Sequence, residues 1–177
     1  MGRRLDADFF HRDVLEAAPD LVGKILVHRL PDGTELRERI AETEAYRGEE
    51  DRGCHAAKGR TKRTELLYGE SGIMYVYLCY GMHWLMNVIT GEKEQPQGLL
   101  LRAGAVFDGP AKLTKKMKID GSFNGVSLRD NEEIWFEDDG YRPRIRTAPR
   151  VGIDYAGEYW KDIEWRFIDD EASANKK

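Results

Sequence analysis

The spacing of apolar residues changes from helical to strand-like early in the chain. Apolar residues recur at helical spacing over residues 6–18, and Pro19 should end that helix or start a second short turn. Residues 21–30 form a β-rich run, which is followed by the turn residues 31–33 and by a second run over residues 36–46. This order predicts a helix followed by a β-hairpin.

The longest apolar and aromatic stretch covers residues 71–89 and contains a Tyr80-Gly81 pair near its middle. Gly72 and Gly91 bound it and favour two strands joined by a tight turn. Such a turn would hold Tyr80 at the tip and Met82 just beyond it, where polar residues are usual. Large apolar side chains on a rigid hairpin either insert into a partner or push between stacked bases. Periodicity alone leaves a second interpretation open, in which the whole run is a buried helix or strand pair.

Residues 98–106 predict an apolar strand that is interrupted by Arg102. An arginine inside such a run needs a carboxylate or a phosphate as its partner. Gly109 and Pro110 then predict the start of a helix rich in lysine, whose first turn is a plausible phosphate cradle. The other predicted segments are a long loop over 47–67 with one helical turn near 64–67, a turn-rich region over 120–130, short strands at 132–136 and 165–168, and a proline-containing loop over 138–149.

The composition is that of a globular protein with one core. The chain has 177 residues, of which 41% are hydrophobic and 34% are charged, and this length favours one domain. No stretch approaches the roughly 18 consecutive apolar residues of a membrane span, and the N-terminus lacks the apolar core of a signal peptide. We therefore expect a cytoplasmic protein without a membrane partner, in which Cys54 and Cys79 are reduced.

The charge is weakly negative in total but unevenly distributed. A net charge of −4 and a pI near 5.7 argue mildly against binding to nucleic acid. However, residues 52–63 contain five basic residues and no acid, residues 111–118 contain four lysines and no acid, and residues 141–150 contain four arginines and no acid. A polarised surface of this kind can bind a phosphate backbone despite the negative total. Chance clustering in solvated loops is an equally good explanation.

The strand predicted over residues 36–46 ends in the sequence Glu-Thr-Glu-Ala-Tyr. Alternation places Glu42, Glu44 and Tyr46 on one face and smaller residues on the other. A carboxylate two residues from an aromatic ring can hold a flat ligand beside a general base, although a solvent-facing strand has the same pattern. Cys54 and His55 raise the possibility of a metal site, but no C-x-x-C, H-E-x-x-H or second paired histidine accompanies them. We expect no metal and no other cofactor.

Six motifs in register give a stronger indication. They are ETEAY at 42–46, a histidine nine residues after Tyr46, YVYLCYGMHWLMNV at 75–88, LLRA at 100–103, GPAKL at 109–113 and RVGIDYAGE at 150–158. Together they resemble the alkyladenine (3-methyladenine) DNA glycosylase family from about residue 8 to residue 168. One departure is Lys62, which stands where the family commonly has a proline in a basic loop.

The resemblance implies an α+β fold and a metal-free hydrolase. The expected fold is a single mixed domain over residues 1–177, with its core at about 8–168 and a short polar C-terminal tail. Its expected form is a curved antiparallel sheet with flanking helices and a protruding β-hairpin. The implied partner is double-stranded DNA that contains damaged purines, and the family precedent is a monomer. In a bacterium the protein would be associated with the nucleoid.

The resemblance also assigns roles to individual residues. Glu44 corresponds to the general base that activates a water molecule. Tyr46, His55 and Tyr77 correspond to the residues that hold the flipped base. Asn87 corresponds to the asparagine whose bulk disfavours the exocyclic amino group of guanine.

The remaining implied roles concern the duplex. Tyr80 corresponds to the tyrosine that enters the minor groove and fills the gap left by the flipped nucleotide, and Met82 lies beside it on the hairpin. Arg102 corresponds to an arginine that supports the site near the DNA backbone, where we also expect Arg63 and Lys112.

The implied reaction is the hydrolysis of an N-glycosidic bond, with 3-methyladenine, hypoxanthine and ethenoadenine as possible leaving bases. Three alternatives remain at this point. A damage sensor would share the fold and bind without catalysis. A metal-dependent hydrolase would use Glu44, His55 and Cys54. A domain with a purely structural aromatic core would leave Tyr80 buried.

Overall fold

The computed structural model describes residues 2–174, and side chains as far as Ala172. Within this part of the chain there are nine strands and four α-helices. The strands are β1 (Arg3–Arg4), β2 (Ile25–Arg29), β3 (Glu35–Arg47), β4 (Met74–Cys79), β5 (His83–Ile89), β6 (Gln97–Gly104), β7 (Ile134–Asp138), β8 (Ile145–Ala148) and β9 (Arg166–Asp169). The helices are α1 (Val14–Leu21), α2 (Pro110–Lys116), α3 (Glu158–Asp162) and α4 (Asp170–Ala174).

All nine described strands join one antiparallel sheet, and the predicted α+β class is confirmed. The main order is β1-β7-β2-β3-β6-β5-β4, and β9 pairs with both β3 and β8. Strand β3 is the centre of this arrangement, because its first part pairs with β2 and its second part lies between β6 and β9. The register of β3 against β6 shifts between Ile40 and Thr43, where an irregularity of this kind redirects the side chains that follow.

The core lies between the sheet and the segments packed on it, which include α1 and α2. Helix α1 contributes four buried residues, Val14, Ala17, Ala18 and Leu21, and burial of each large apolar side chain contributes about 1.5–3 kcal/mol. The small face predicted for β3 packs here, since Thr43 is fully buried and its hydroxyl donates to the Ala18 carbonyl over 2.7 Å.

The single helix predicted over residues 6–18 is wrong. A 3-10 turn covers Ala7–Phe10, and α1 begins only at Val14. The Asp13 carboxylate accepts the Leu15 N–H over 2.9 Å and caps α1 at that point. Pro19 does not end the helix, because burial of Leu21 against the core outweighs the one backbone hydrogen bond that proline removes.

Four other differences concern short segments. The loop predicted over residues 138–149 contains β8, which is too short and too polar to be recognised until it pairs with β9. Strand β1 was not predicted, and it pairs with β7. The predicted polar tail begins with α4, whereas residues 175–177 lie outside the described residues. The long loop over 47–67 contains 3-10 turns at His55–Lys58 and Glu65–Tyr68.

The predicted central hairpin is confirmed as β4 and β5. Tyr80 and Gly81 have φ values of 51° and 70°, and the Met82 N–H donates to the Cys79 carbonyl over 3.1 Å. Positive φ at both central residues matches the turns that suit the twist of a hairpin. The base of the hairpin is buried, but Tyr80 is 89% exposed and Met82 is 67% exposed. The interpretation with a wholly buried run, and with it a buried Tyr80, is therefore wrong at the tip. No helix among residues 2–174 is long and apolar enough to cross a membrane.

Candidate active site

A cavity of about 440 Å³ opens beside the hairpin tip. It is lined by residues from β3, β4, β5 and β6, from the loop after β3, and from the segment after β8. It brings together most of the predicted site residues: Glu44, Tyr46, His55, Arg63, Tyr77, Tyr80, Asn87 and Arg102. Met82 and Lys112 do not line it. Residues from distant parts of the sequence thus share one concave site.

Glu44 lies in the wall of the cavity and is only 1% exposed. Its two carboxylate oxygens have different partners. One accepts the backbone N–H of Val151 over 2.6 Å, and the other accepts the Tyr46 hydroxyl over 3.1 Å. Burial raises the pKa of Glu44, while the Val151 N–H and the charge of Arg102 oppose that rise. A buried carboxylate with a raised pKa at the wall of a cavity is typical of a general base.

Aromatic rings form the sides of the cavity. The ring centres of His55 and Tyr77 are 4.6 Å apart, and His55 Nδ1 shares a hydrogen bond with the Tyr75 hydroxyl over 2.9 Å. Burial lowers the pKa of His55 to about 4, with a further contribution from the charges of Arg63 and Lys58. His55 is therefore neutral near pH 7. It offers a flat ring and one hydrogen-bonding nitrogen rather than a positive charge.

Asn87 lies on β5 and is 6% exposed. Its amide nitrogen donates to the Tyr75 carbonyl on the neighbouring strand over 3.1 Å, which fixes the orientation of the side chain. Because Asn87 is held in this way, its contribution to the shape of the cavity is rigid.

Basic side chains lie in and around the cavity. Arg102 is half-buried on β6, and its positive charge opposes the rise that burial causes in the pKa of Glu44, so this carboxylate is its electrostatic partner. The guanidinium of Arg63 lies 5.4 Å from the centre of the Tyr77 ring. Lys112 is exposed on α2, outside the cavity lining.

Comparison with known proteins identifies the family. The model of the methylpurine-DNA glycosylase family matches residues 8–173. The chain belongs to this family. Three relatives carry the name "Putative 3-methyladenine DNA glycosylase". The relative from Natranaerobius thermophilus is 42% identical over 93% of this chain and 94% of its own length. The relative from Psychrobacter cryohalolentis is 39% identical over 96% of this chain and 93% of its own length. The relative from Methanocella arvoryzae is 40% identical over 93% of this chain and 92% of its own length.

Membership of the methylpurine-DNA glycosylase family confirms the predicted enzyme class, a hydrolase of N-glycosidic bonds that acts on DNA. The resemblance found from six sequence motifs is thereby confirmed, and its predicted extent of about 8–168 agrees closely with the match to the family model.

Sequence reasoning missed a buried ion pair next to the cavity wall. Arg150 and Asp51 form an ion pair with 0% exposure of either side chain, at 2.6 Å and 2.8 Å. Arg150 opens the RVGIDYAGE motif, but the sequence alone groups it with the basic residues of a loop. A cue was available in the short run Val151–Ile153, since an arginine beside apolar residues needs a buried partner.

Part of the predicted basic surface is neutralised. Arg142 pairs with Asp138, and both Arg144 and Arg146 pair with Asp170. Arg60 pairs with Glu65 and Glu94. Since Arg150 is buried, the 141–150 cluster is not an open basic surface, whereas Lys112, Lys115 and Lys116 of α2 are exposed.

The residues proposed for a metal site do not form one. Within residues 2–174 no group of three or more His, Cys, Asp or Glu side chains is arranged to hold a metal ion. Burial raises the pKa of the Cys54 thiol to about 12, whereas a metal-bound cysteine is a thiolate. His55 Nδ1 is already hydrogen-bonded to Tyr75.

Proposed function

We propose that this protein is a monofunctional DNA glycosylase that flips damaged purines out of the duplex and hydrolyses the N-glycosidic bond with a water molecule activated by Glu44. Its substrates are alkylated or deaminated purines of the 3-methyladenine, hypoxanthine and ethenoadenine type. The protein acts as a monomer and as one domain over residues 1–177. The observation that carries the proposal is a buried Glu44 in an aromatic cavity beside an exposed tyrosine wedge.

The environment of Glu44 suits the chemistry of this reaction. Cleavage of the bond between base and sugar passes through an oxocarbenium-like sugar, as in glycoside hydrolysis. A nearby carboxylate stabilises the developing positive charge and takes a proton from the attacking water. Glu44 must be ionised to accept this proton. The Val151 N–H and the charge of Arg102 favour the ionised form. Alkylated adenine leaves as a neutral base from a cationic nucleotide and needs little acid catalysis.

The cavity walls suit an extruded purine. Tyr46, His55 and Tyr77 present rings to the cavity, and stacking of a base on an aromatic side chain contributes about 1–3 kcal/mol. The neutral state of His55 leaves it free to hydrogen-bond without repelling a cationic base. Asn87 is rigidly held against Tyr75, and its bulk would disfavour the extra amino group of guanine.

The hairpin tip supports base flipping. A base inside a duplex is out of reach of an enzyme, so it must leave the stack at a cost of a few kcal/mol. Tyr80 lies exposed on a tight turn at the mouth of the cavity, and Met82 is exposed beside it on the same turn. An apolar wedge of this kind fills the gap and offsets part of the unstacking free energy. Lysine is absent from the cavity lining of the described residues, which favours attack by water over attack by an amine.

The test is single-turnover release of the base from a duplex with one hypoxanthine or ethenoadenine, in the presence of EDTA. Wild type is compared with Glu44→Gln and with Glu38→Gln. Glu38 is a matched control because it is also buried on β3 and accepts a backbone N–H, that of Val106, over 2.7 Å.

We expect release by the wild type and by Glu38→Gln, and we expect Glu44→Gln to bind the lesion without releasing the base. Normal release by Glu44→Gln would remove Glu44 as the general base. Tight lesion binding without release by all three proteins would favour a damage sensor.

A further inference from the structure

Arg150 makes more contacts than a structural ion pair requires. Its guanidinium meets Asp51 in a bidentate pair, donates to the Ala45 carbonyl over 3.0 Å and donates to the Trp160 carbonyl over 3.3 Å. It also packs against two rings, 4.8 Å from the centre of Tyr46 and 5.1 Å from that of Trp165. A planar guanidinium suits such a site because it can stack and form a fork of hydrogen bonds at the same time.

These contacts join separate segments behind the active site. Ala45 lies on β3, immediately after Glu44, while Asp51 belongs to the loop that leads to His55. Asp51 is fixed in turn, since it accepts the backbone N–H groups of Arg47 and Gly53, each over 2.9 Å. Arg150 therefore connects the strand of the proposed base, the loop of a cavity wall and its own segment.

The residue after Arg150 contacts Glu44 directly. The Val151 N–H donates to the Glu44 carboxylate over 2.6 Å. The Val151 side chain is 43% exposed, so its own burial does not fix the backbone at this point. The neighbouring side chain of Arg150, in contrast, is fully buried and is held on several sides.

Net stability is a weak explanation for this arrangement. Taking both charges out of water offsets much of their attraction, and apolar replacements of buried ion pairs are often as stable. In addition, the Nε atom of Arg150 is buried and has no hydrogen-bond partner among the described residues. The geometry is therefore better suited to holding backbone groups in place than to stabilising the fold.

We propose that Arg150, clamped by Asp51, is a positioning residue that holds the Val151 N–H against Glu44 and holds the Tyr46 ring beside it. The inference rests on the proposed role of Glu44 as the general base. Arg150 does not touch the substrate; it acts through Val151 and Tyr46.

The test uses Arg150→Lys, which keeps the positive charge but loses the fork and the stacking plane. The matched control is Arg142→Lys, because Arg142 is an exposed arginine that pairs with Asp138 far from the cavity. We expect Arg150→Lys to lower the single-turnover rate roughly 10- to 100-fold, as for loss of one hydrogen bond to a charged group. Lesion binding should stay close to that of the wild type. Arg142→Lys should leave both quantities unchanged.

The pH profile of the rate separates positioning from a general structural defect. Without the Val151 N–H, the Glu44 carboxylate is less stabilised, and the acidic limb should move to higher pH. Lysine keeps the positive charge of Arg150, so a shift of the acidic limb would result from the changed position of the Val151 N–H and not from a lost charge. Four other groups that act on Glu44 are not replaced in this variant and do not contact Arg150 in the proposal: Tyr77, Arg102, Tyr155 and Arg166. Movement of the Tyr46 hydroxyl away from Glu44 would remove a second donor and shift the limb in the same direction.

Two further variants keep the test decisive. Val151→Pro removes the N–H itself, so adding Arg150→Lys to it should lower the rate little further. Asp51→Asn loosens the clamp from the other side and should also lower the single-turnover rate.

The inference is overturned if a folded Arg150→Lys keeps the wild-type rate and pH profile, or if the rate and lesion binding fall together with an unchanged profile. Failure of both Arg150→Lys and Asp51→Asn to fold would make the pair a folding element and overturn it too. If the wild type is active and Glu44→Gln is not, any such result refutes the role of Arg150 alone.

Discussion

Replacement of Tyr80 by alanine separates a DNA wedge from a core residue. Tyr80 is 89% exposed at the hairpin tip, so its truncation removes almost no buried surface. We expect the free energy of unfolding to change by no more than about 0.5 kcal/mol, as for most surface substitutions. The fully buried Phe10 is the contrast, since Phe10→Ala should cost about 3–5 kcal/mol.

The same substitution should weaken recognition of the lesion. If Tyr80 stacks in the gap left by the flipped nucleotide, its loss removes about 1–3 kcal/mol of stacking. At 1.36 kcal/mol for each factor of ten, this corresponds to roughly 5- to 150-fold weaker binding. Binding to an undamaged duplex should change less, because phosphate contacts supply most of that affinity.

The assay combines urea unfolding with fluorescence anisotropy on a lesion duplex and on an undamaged duplex. Tyr80→Phe keeps the ring and should stay close to the wild type in both measurements. A loss of several kcal/mol in unfolding free energy for Tyr80→Ala would refute the assignment of an exposed wedge. Unchanged lesion binding by Tyr80→Ala would refute the role of Tyr80 as a wedge in the duplex, whatever the free energy of unfolding.

Three further predictions concern charge. Burial raises the pKa of Glu44 above its ordinary 4.5, so ionised Glu44 destabilises the fold above that pH. Glu44→Gln should therefore match or exceed the wild-type Tm at pH 7.5, with a gain that shrinks toward pH 4. A lower Tm of Glu44→Gln at pH 7.5 would contradict this. The His55 pKa of about 4 lies below its ordinary 6.5, so the folded state favours neutral His55. The contribution of neutral His55 to stability is complete above pH 6.5 and is lost as the pH falls from 6.5 to 4. An NMR titration in which His55 is protonated near pH 6.5 would contradict this prediction. Lys112→Ala should reduce the salt dependence of DNA binding by a slope of about 0.9, the value for one phosphate contact, whereas Arg144→Ala should not, because Arg144 pairs with Asp170.

Several parts of the fold and site follow from local sequence. The Tyr80-Gly81 pair between two apolar runs predicts the central hairpin, since such a turn requires positive φ at its centre and the flanking strands need only pair with each other. The alternation in ETEAY places Glu44 and Tyr46 on the same face, and their side chains are indeed hydrogen-bonded. These features are local, so spacing along the chain is sufficient to predict them.

Other parts depend on contacts between distant segments. Arg150 and Asp51 are separated by 99 positions, and no local pattern indicates that they meet. The sequence also suggested a basic surface over residues 141–150, which folding neutralises by bringing Asp138 and Asp170 to its arginines. The end of α1 was misplaced because its burial outweighs the effect of Pro19.

The sequence by itself therefore determined the family, the class of fold, the hairpin with its exposed tip, and the residue types of the site. Tertiary structure alone decided which faces are buried, which charges are paired, and how Glu44 is held. The physical reason is that turn and strand preferences act over a few residues, whereas desolvation and ion pairing depend on every segment that packs around a group. The burial that raises the Glu44 pKa, and the Val151 N–H that opposes it, exist only once β3 and the segment after β8 have met.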